Sequence, residues 1–250
     1  MNLEVVRLNV ELARSNVELE SFSYTVSHDL QEPVRTIRTY SQLLAVSAGP
    51  LMTTESGELI ATIEKAASRM GEFIRGLLNY SQLGGMERRE SRPVNMEDAL
   101  GSVLNNLSAQ IRECGAFVTY EDLPVVLSHV NQMEQLLQNL IGNAIKYGRH
   151  DVPPRVHISA RMEGDFWRFS VRDNGQGLRT GEANTIFAPF KRLHGSEVPG
   201  NGIGLATCKR IVQFHNGLIG VESDGPERGS TFWFTLPFAD IQNARAASQA

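Results

Sequence analysis

The sequence predicts two folds in one chain. An all-α helical hairpin that pairs into a dimeric four-helix bundle is followed by an α/β domain with a mixed, largely antiparallel sheet. Three observations lead there. Apolar residues keep helical spacing from Leu3 to about Leu83. Gly84-Gly85 and the charged run MERRESRP then break the pattern. Beyond Pro93, short segments alternate between helical and two-residue periodicity.

The helical half opens with Val5, Leu8, Leu12, Leu19, Phe22 and Val26 at alternating three- and four-residue steps, a coiled-coil seam with Ser15 its one defect. The stripe continues through Leu30, Val34, Ile37 and Leu44 until SAGPLMTTES interrupts it with Gly49 and Pro50. A second helix carries Ile60, Ile63, Ala67, Met70, Ile74 and Leu77 on one face, widened by Leu59, Phe73 and Leu78. An isolated hairpin cannot cover two faces that wide, so a second copy is expected to complete a four-helix bundle.

The second half begins with a helix bearing Leu100, Val103, Leu104, Leu107 and Ile111. Strands are expected at AFVTY and PVVL, then a helix over 130–147. RVHISARM and FWRFSVR flank a hairpin turn at Glu163-Gly164-Asp165. A Gly-rich stretch over 174–202 leads to a helix near 203–215 and the strands LIGVES and STFWFTL. The domain boundaries read 1–84, a linker 85–92, 93–237, and a tail 238–250.

Composition excludes several roles. A net charge of −4 and a pI near 5.9 argue against binding nucleic acid or acidic membranes. No segment approaches the roughly 18 apolar residues of a membrane span, and no signal-peptide core is present, so a cytoplasmic location is expected. Cys114 and Cys208 lack metal-ligand spacing and read as buried thiols. A helix already running at residue 3 suggests a piece of something longer.

Chemistry concentrates in four places. On the helix QLLQNLIGNAIKYG, Asn139, Asn143 and Lys146 share a face at i, i+4, i+7. Asparagine is a poor helix former, and amide oxygens beside an ammonium suit a hydrated divalent cation and a phosphate chain. The strand FWRFSVR runs into Asp173-Asn174-Gly175-Gln176-Gly177. A carboxylate there can accept from an exocyclic amine, and neighbouring glycines admit a flat ring. Gly200-Asn201-Gly202-Ile203-Gly204-Leu205 leads into a helix whose amides favour anions. Between the glycine clusters, Phe187-Ala188-Pro189-Phe190-Lys191-Arg192 reads as a mobile nucleotide lid.

Taken in order, Asn139xxxAsn143, Asp173xGly175xGly177, Phe187xxPhe190, Gly200xGly202xGly204 and Gly229-Ser230-Thr231 resemble the boxes of sensor histidine kinases. These lie on the Bergerat ATP-binding fold, an α/β two-layer sandwich shared with DNA gyrase and MutL. The stretch SHDLQEP resembles the phosphoacceptor segment of the same family in its phytochrome-like variant.

The resemblance implies that Asn143 and Asn139 hold Mg²⁺ and phosphates, with Lys146 and Tyr147 beside them. It implies that Asp173 binds the adenine amine of ATP and that Gly177 borders the base, with Gly175 also among the ATP-binding residues. Phe190 and Arg192 would belong to the lid, with Arg192 near the γ-phosphate, while Lys191 has no assigned role. Gly202, Gly204 and Leu205 would sit at the phosphate tail, and Thr231 would belong to the last box. The implied partners are a response-regulator receiver domain and a second copy of the chain, with an upstream sensor region outside it.

His28 stands about 200° around the helix from Val26 and is expected to face away from the bundle core. Pro33 has no N–H for the carbonyl of Asp29, so a bend is expected beside the histidine. The resemblance makes His28 the phosphoacceptor, with Asp29 orienting its ring. Glu32 stands where many relatives carry threonine or asparagine for dephosphorylating the regulator, which implies a kinase-dominant enzyme. Two rivals predict other outcomes. A regulatory scaffold would bind ATP without taking label, and a serine kinase or ATPase would give acid-stable or free phosphate.

Overall fold

The computed structural model describes residues 26, 29–49, 53–82, 91–149, 151–191 and 202–238. These fall into two compact units, 26–82 with Gly202 and Ile203, and 91–191 with 204–238. The coiled-coil positions before Val26, together with His28, Arg192 and Gly200, lie outside the described residues.

In the first unit, helix α1 covers 29–48 and α2 spans Thr54–Gln82. The hydroxyl of Thr53 accepts from the Ser56 N–H at 3.2 Å, capping α2. Val34 of α1 packs with Ala67, Ile74 and Leu78 of α2, so the expected stripes do meet. Much of the remaining apolar face stays uncovered within one copy, Ile37 at 48% and Met70 at 51% exposure among it. Helix α1 runs on through the exposed Pro33, whereas residues 27 and 28, across the expected bend, are not among those described.

The second unit begins with a strand that the sequence reading put in the linker and the following helix. Strand β1 (Arg92–Asn95) pairs antiparallel with β3 (Val125–Ser128) in a two-stranded sheet. Pro93 is tolerated because β1 pairs on one side only. The helix expected through Leu107 and Ile111 is two, α3 (Met96–Asn106) and α4 (Ser108–Cys114), with Asn95 capping α3 by accepting from the Glu97 N–H at 2.9 Å.

The main sheet has five strands in the order β2-β4-β5-β7-β6. They are β2 (Phe117–Tyr120), β4 (Arg155–Glu163), β5 (Phe166–Asp173), β6 (Ile219–Glu222) and β7 (Thr231–Pro237). Only β2 and β4 run parallel, so the sheet is mixed and largely antiparallel as expected. Helices α5 (Val130–Lys146) and α6 (Gly204–Phe214) cover one face. Strict alternation along β7 sends Phe232, Phe234 and Leu236 under these helices. Phe234 stacks on Phe169 of β5 at 4.8 Å in the centre of this core.

Cys208 is buried and free, as expected, but Cys114 is exposed. The short helix α4 buries none of its residues, which leaves its last position in solvent.

Candidate active site

The end of β5 sets the geometry. Asp173 has the parity of the core-facing residues Phe169 and Val171, so its carboxylate turns toward the helix layer. Its Oδ1 accepts from the Gly175 N–H at 2.8 Å and the Ser230 N–H at 3.1 Å. Burial pushes its pKa up, and these two N–H groups pull it partly back. A partly desolvated carboxylate with its other oxygen available is a strong acceptor for an exocyclic amine.

Two glycines then bring the chain close to its neighbours. A side chain at Gly175 would stand 2.6 Å from the carbonyl oxygen of Tyr147. Gly177 has φ +64, and a Cβ there would run into the carbonyl of Gly225. The intervening Gln176 donates its N–H to the Tyr147 carbonyl at 3.0 Å, tying the β5 exit to the end of α5.

A hollow opens where these elements converge. Asn143 and Tyr147 come from α5, Asp173, Gln176, Gly177 and Leu178 from the β5 exit. Ile186 and Lys191 come from the following loop, Leu205 from α6, Ser230 from just ahead of β7 and Phe232 from β7 itself. The structure therefore gathers Asn143, Tyr147, Asp173, Gly177 and Leu205 around one space, and Gly175 backs its wall.

Other expected site residues lie beside this hollow or away from it. Lys146 stacks its ammonium 4.8 Å over the Tyr147 ring. Asn139 faces the start of α6, where a Cβ on Gly204 would come 3.1 Å from its Oδ1. Behind it the buried Cys208 thiol donates to the Leu136 carbonyl at 3.9 Å, and burial pushes its pKa up to about 12. Gly202, with φ +71, stands two residues ahead of α6. Phe190 is exposed with φ +63, while Phe187 is buried against the Phe232 ring. Thr231 is turned by strand alternation to the opposite face of the sheet, and its neighbours Ser230 and Phe232 line the hollow instead.

Sequence reasoning quoted Ser230 in the last box without giving it a role, missed Phe232, Ile186 and Leu178, and left Lys191 unassigned. The alternation of STFWFTL could have found Ser230 and Phe232. Ile186 and Leu178 carry no such signal, because their places depend on how an irregular loop returns to the sheet.

For a metal, no group of three His, Cys, Asp or Glu side chains is gathered among the described residues. The donors at hand are the amide oxygens of Asn143 and Asn139, and the absent side chain of Gly204 leaves space beside the latter. Such hard, neutral oxygens fit Mg²⁺ that keeps water and phosphate oxygens as its other ligands.

Comparison with known proteins places both units. Residues 18–85 match the His Kinase A (phospho-acceptor) domain, and residues 128–240 match the histidine kinase-, DNA gyrase B-, and HSP90-like ATPase family. The chain belongs to the sensor histidine kinase family.

This histidine kinase core is 40% identical over 243 residues to cyanobacterial phytochrome A of Nostoc sp., covering 97% of the chain and 31% of that relative. It is 34% identical to the phytochrome-like protein Cph1 of Synechocystis sp., covering 95% of the chain and 31% of the relative. The chain thus spans about a third of the length of the curated relatives it matches. Among solved structures, full-length ShkA in complex with AMPPNP superposes with a TM-score of 0.67 at 26% identity, over 88% of this chain and 46% of that one. Histidine kinase ThkA in complex with the response regulator TrrA shares the fold, with a TM-score of 0.62 at 21% identity, over 92% of this chain and 66% of that one. Among the described residues, no helix is long and apolar enough to cross a membrane.

Proposed function

We propose that this chain is an ATP-dependent protein histidine kinase. It phosphorylates His28 and donates the phosphoryl group to an aspartate on a response-regulator receiver domain. It works in the cytoplasm as a homodimer through the helical hairpin. The observation that carries the reading is the Asp173 carboxylate, fixed by two backbone N–H groups at the mouth of a hollow that Asn143 also lines.

In this reading Asp173 accepts from the adenine amine, and Gly175 and Gly177 keep side chains out of the ring's way. Asn143 and Asn139 hold Mg²⁺, which supplies charge neutralisation at the phosphates when bound. Lys146, Lys191 and Arg192 add positive charge around the transferring group, and Tyr147, Phe190, Gly202, Gly204 and Leu205 frame the tail and lid. Thr231 has no part, because it faces the other side of the sheet.

A neutral imidazole carries a free lone pair on one ring nitrogen, which makes His28 a nucleophile. That nitrogen attacks the γ-phosphorus, the bond to the bridging oxygen breaks, and ADP leaves with the electron pair. Asp29, exposed on α1 one residue along, orients the ring through its other N–H and stabilises the charge that develops.

Incubation with γ-labelled ATP tests the assignment. The chain is expected to take up acid-labile label, and His28→Gln is expected to reduce it to background. Label that persists in the variant, or that survives acid, contradicts the reading.

A further inference from the structure

We propose that the outer face of the five-stranded sheet is a docking groove for an acidic, extended segment of a partner protein. The groove has a volume of about 620 Å³ and lies on the face turned away from α5 and α6. Its floor is a row of cross-strand partners, Thr119 on β2, His157 on β4 and Arg172 on β5. In the next row Arg155 sits opposite Phe117, and Arg228 joins from the β6–β7 loop.

Three guanidiniums converge on this face. Arg155, Arg172 and Arg228 are exposed, and among the described residues no side-chain hydrogen bond or ion pair engages their guanidiniums. Elsewhere on this unit, Arg149 pairs with Asp151, Arg161 with Glu163, and Arg168 with Glu163 and Glu222. Three unpaired cations around one hollow repel one another until an anion arrives. The Glu121 carboxylate at this edge is engaged at 3.4 Å with His157, whose other ring nitrogen lies 2.9 Å from the Thr119 hydroxyl.

Guanidinium forks select carboxylates and phosphates. Arg155 on β4 and Arg172 on the adjacent β5 stand one strand spacing apart and two residues out of register, and Arg228 joins them from a third element. Alternate residues of an extended chain stand ~7 Å apart, so its carboxylates can reach successive arginines. Phe117, 62% exposed at the sheet edge, offers an apolar contact that a peptide side chain can use.

The test is fluorescence anisotropy of fluorescein-labelled hexaglutamate with the whole chain at low salt. Saturable binding is expected, weakened at least about tenfold by Arg155→Glu with Arg172→Glu and left unchanged by Arg112→Glu on α4. Affinity of the double variant for a fluorescent ATP analogue should match the parent, which separates a lost groove from a lost fold. Lack of saturable binding, equal binding of hexaglutamine, or indifference to the two reversals overturns the proposal. So does tighter binding of a twelve-nucleotide oligothymidine or of inorganic tripolyphosphate, which would assign the groove to phosphate.

Discussion

Asp173 is held under tension at the level of a single residue. Burial raises its pKa above the ordinary carboxylate value, against the pull of the Gly175 and Ser230 N–H groups. A raised folded-state pKa means that its contribution to stability is full below the unfolded pKa and is lost as pH rises through the folded one. The ionised form is therefore carried at a cost that a donor on its free oxygen offsets. Asp173→Asn keeps an oxygen for both N–H groups and removes the charge. Without nucleotide, its melting temperature should equal or exceed that of the parent. Its affinity for Mg-ATP by calorimetry should fall about 10- to 100-fold, the loss of one charge-assisted hydrogen bond. A lower melting temperature with unchanged affinity would make Asp173 structural only. Glu32, exposed on α1, gives a second expectation at this scale. A carboxylate there repels an aspartyl phosphate, so phospho-regulator mixed with the chain and ADP should keep its label, and Glu32→Thr should speed its loss. Rapid loss with the parent chain would refute a kinase-dominant balance.

Elements meet at a corner far from this chemistry in sequence, where α5, α6 and β3 converge on His215. Its Nε2 lies 2.7 Å from Gln132 Oε1 and 3.0 Å from the Ser128 hydroxyl, with the His129 ring 5.9 Å away. Burial, then the neighbouring His129, lowers the His215 pKa from 6.5 to about 4. A depressed folded-state pKa gives stability that is present above 6.5 and lost as pH falls toward 4. Chemical denaturation between pH 7 and 4 should show that loss, at most about 1.4 kcal/mol per pH unit for one proton. His215→Gln should flatten the profile, and a profile as steep as the parent's would acquit this ring. Neither histidine drew notice in the sequence, because each stands at the end of a helix whose apolar period explains itself. Legibility followed the same logic elsewhere. The stripes of α2 and α5 and the alternation of β4, β5 and β7 were readable because one face of each is buried. Strand β1 was not, since four residues with a proline carry no period. The break between α3 and α4 was also hidden, because Leu107 and Ile111 keep the helical spacing across it. At the site, Asp173 and Asn143 were legible as polar residues in costly places, whereas Ile186 became visible only once the loop after β5 had a path.

For the whole molecule, the helical hairpin leaves a debt of uncovered apolar surface. Its own seam uses Val34, Ala67, Ile74 and Leu78. That leaves Ile37, Leu44, Ile63 and Met70 each roughly half exposed in a single copy. Covering the exposed half of each such side chain is worth about 1 kcal/mol apiece, which summed over both copies favours a second copy. Ile63 and Met70 are seven residues apart on α2 and so share one face without entering the hairpin's internal seam. Ile63→Asp with Met70→Asp should therefore separate the copies while leaving each hairpin helical. Light scattering behind size exclusion is expected to move from the mass of two chains to that of one, with circular dichroism little changed. If the mass of two chains persists, pairing uses another surface. If helicity collapses with it, the hairpin cannot stand without its partner. A monomer that still binds ATP but no longer labels His28 would show that phosphotransfer, unlike nucleotide binding, needs the assembled bundle.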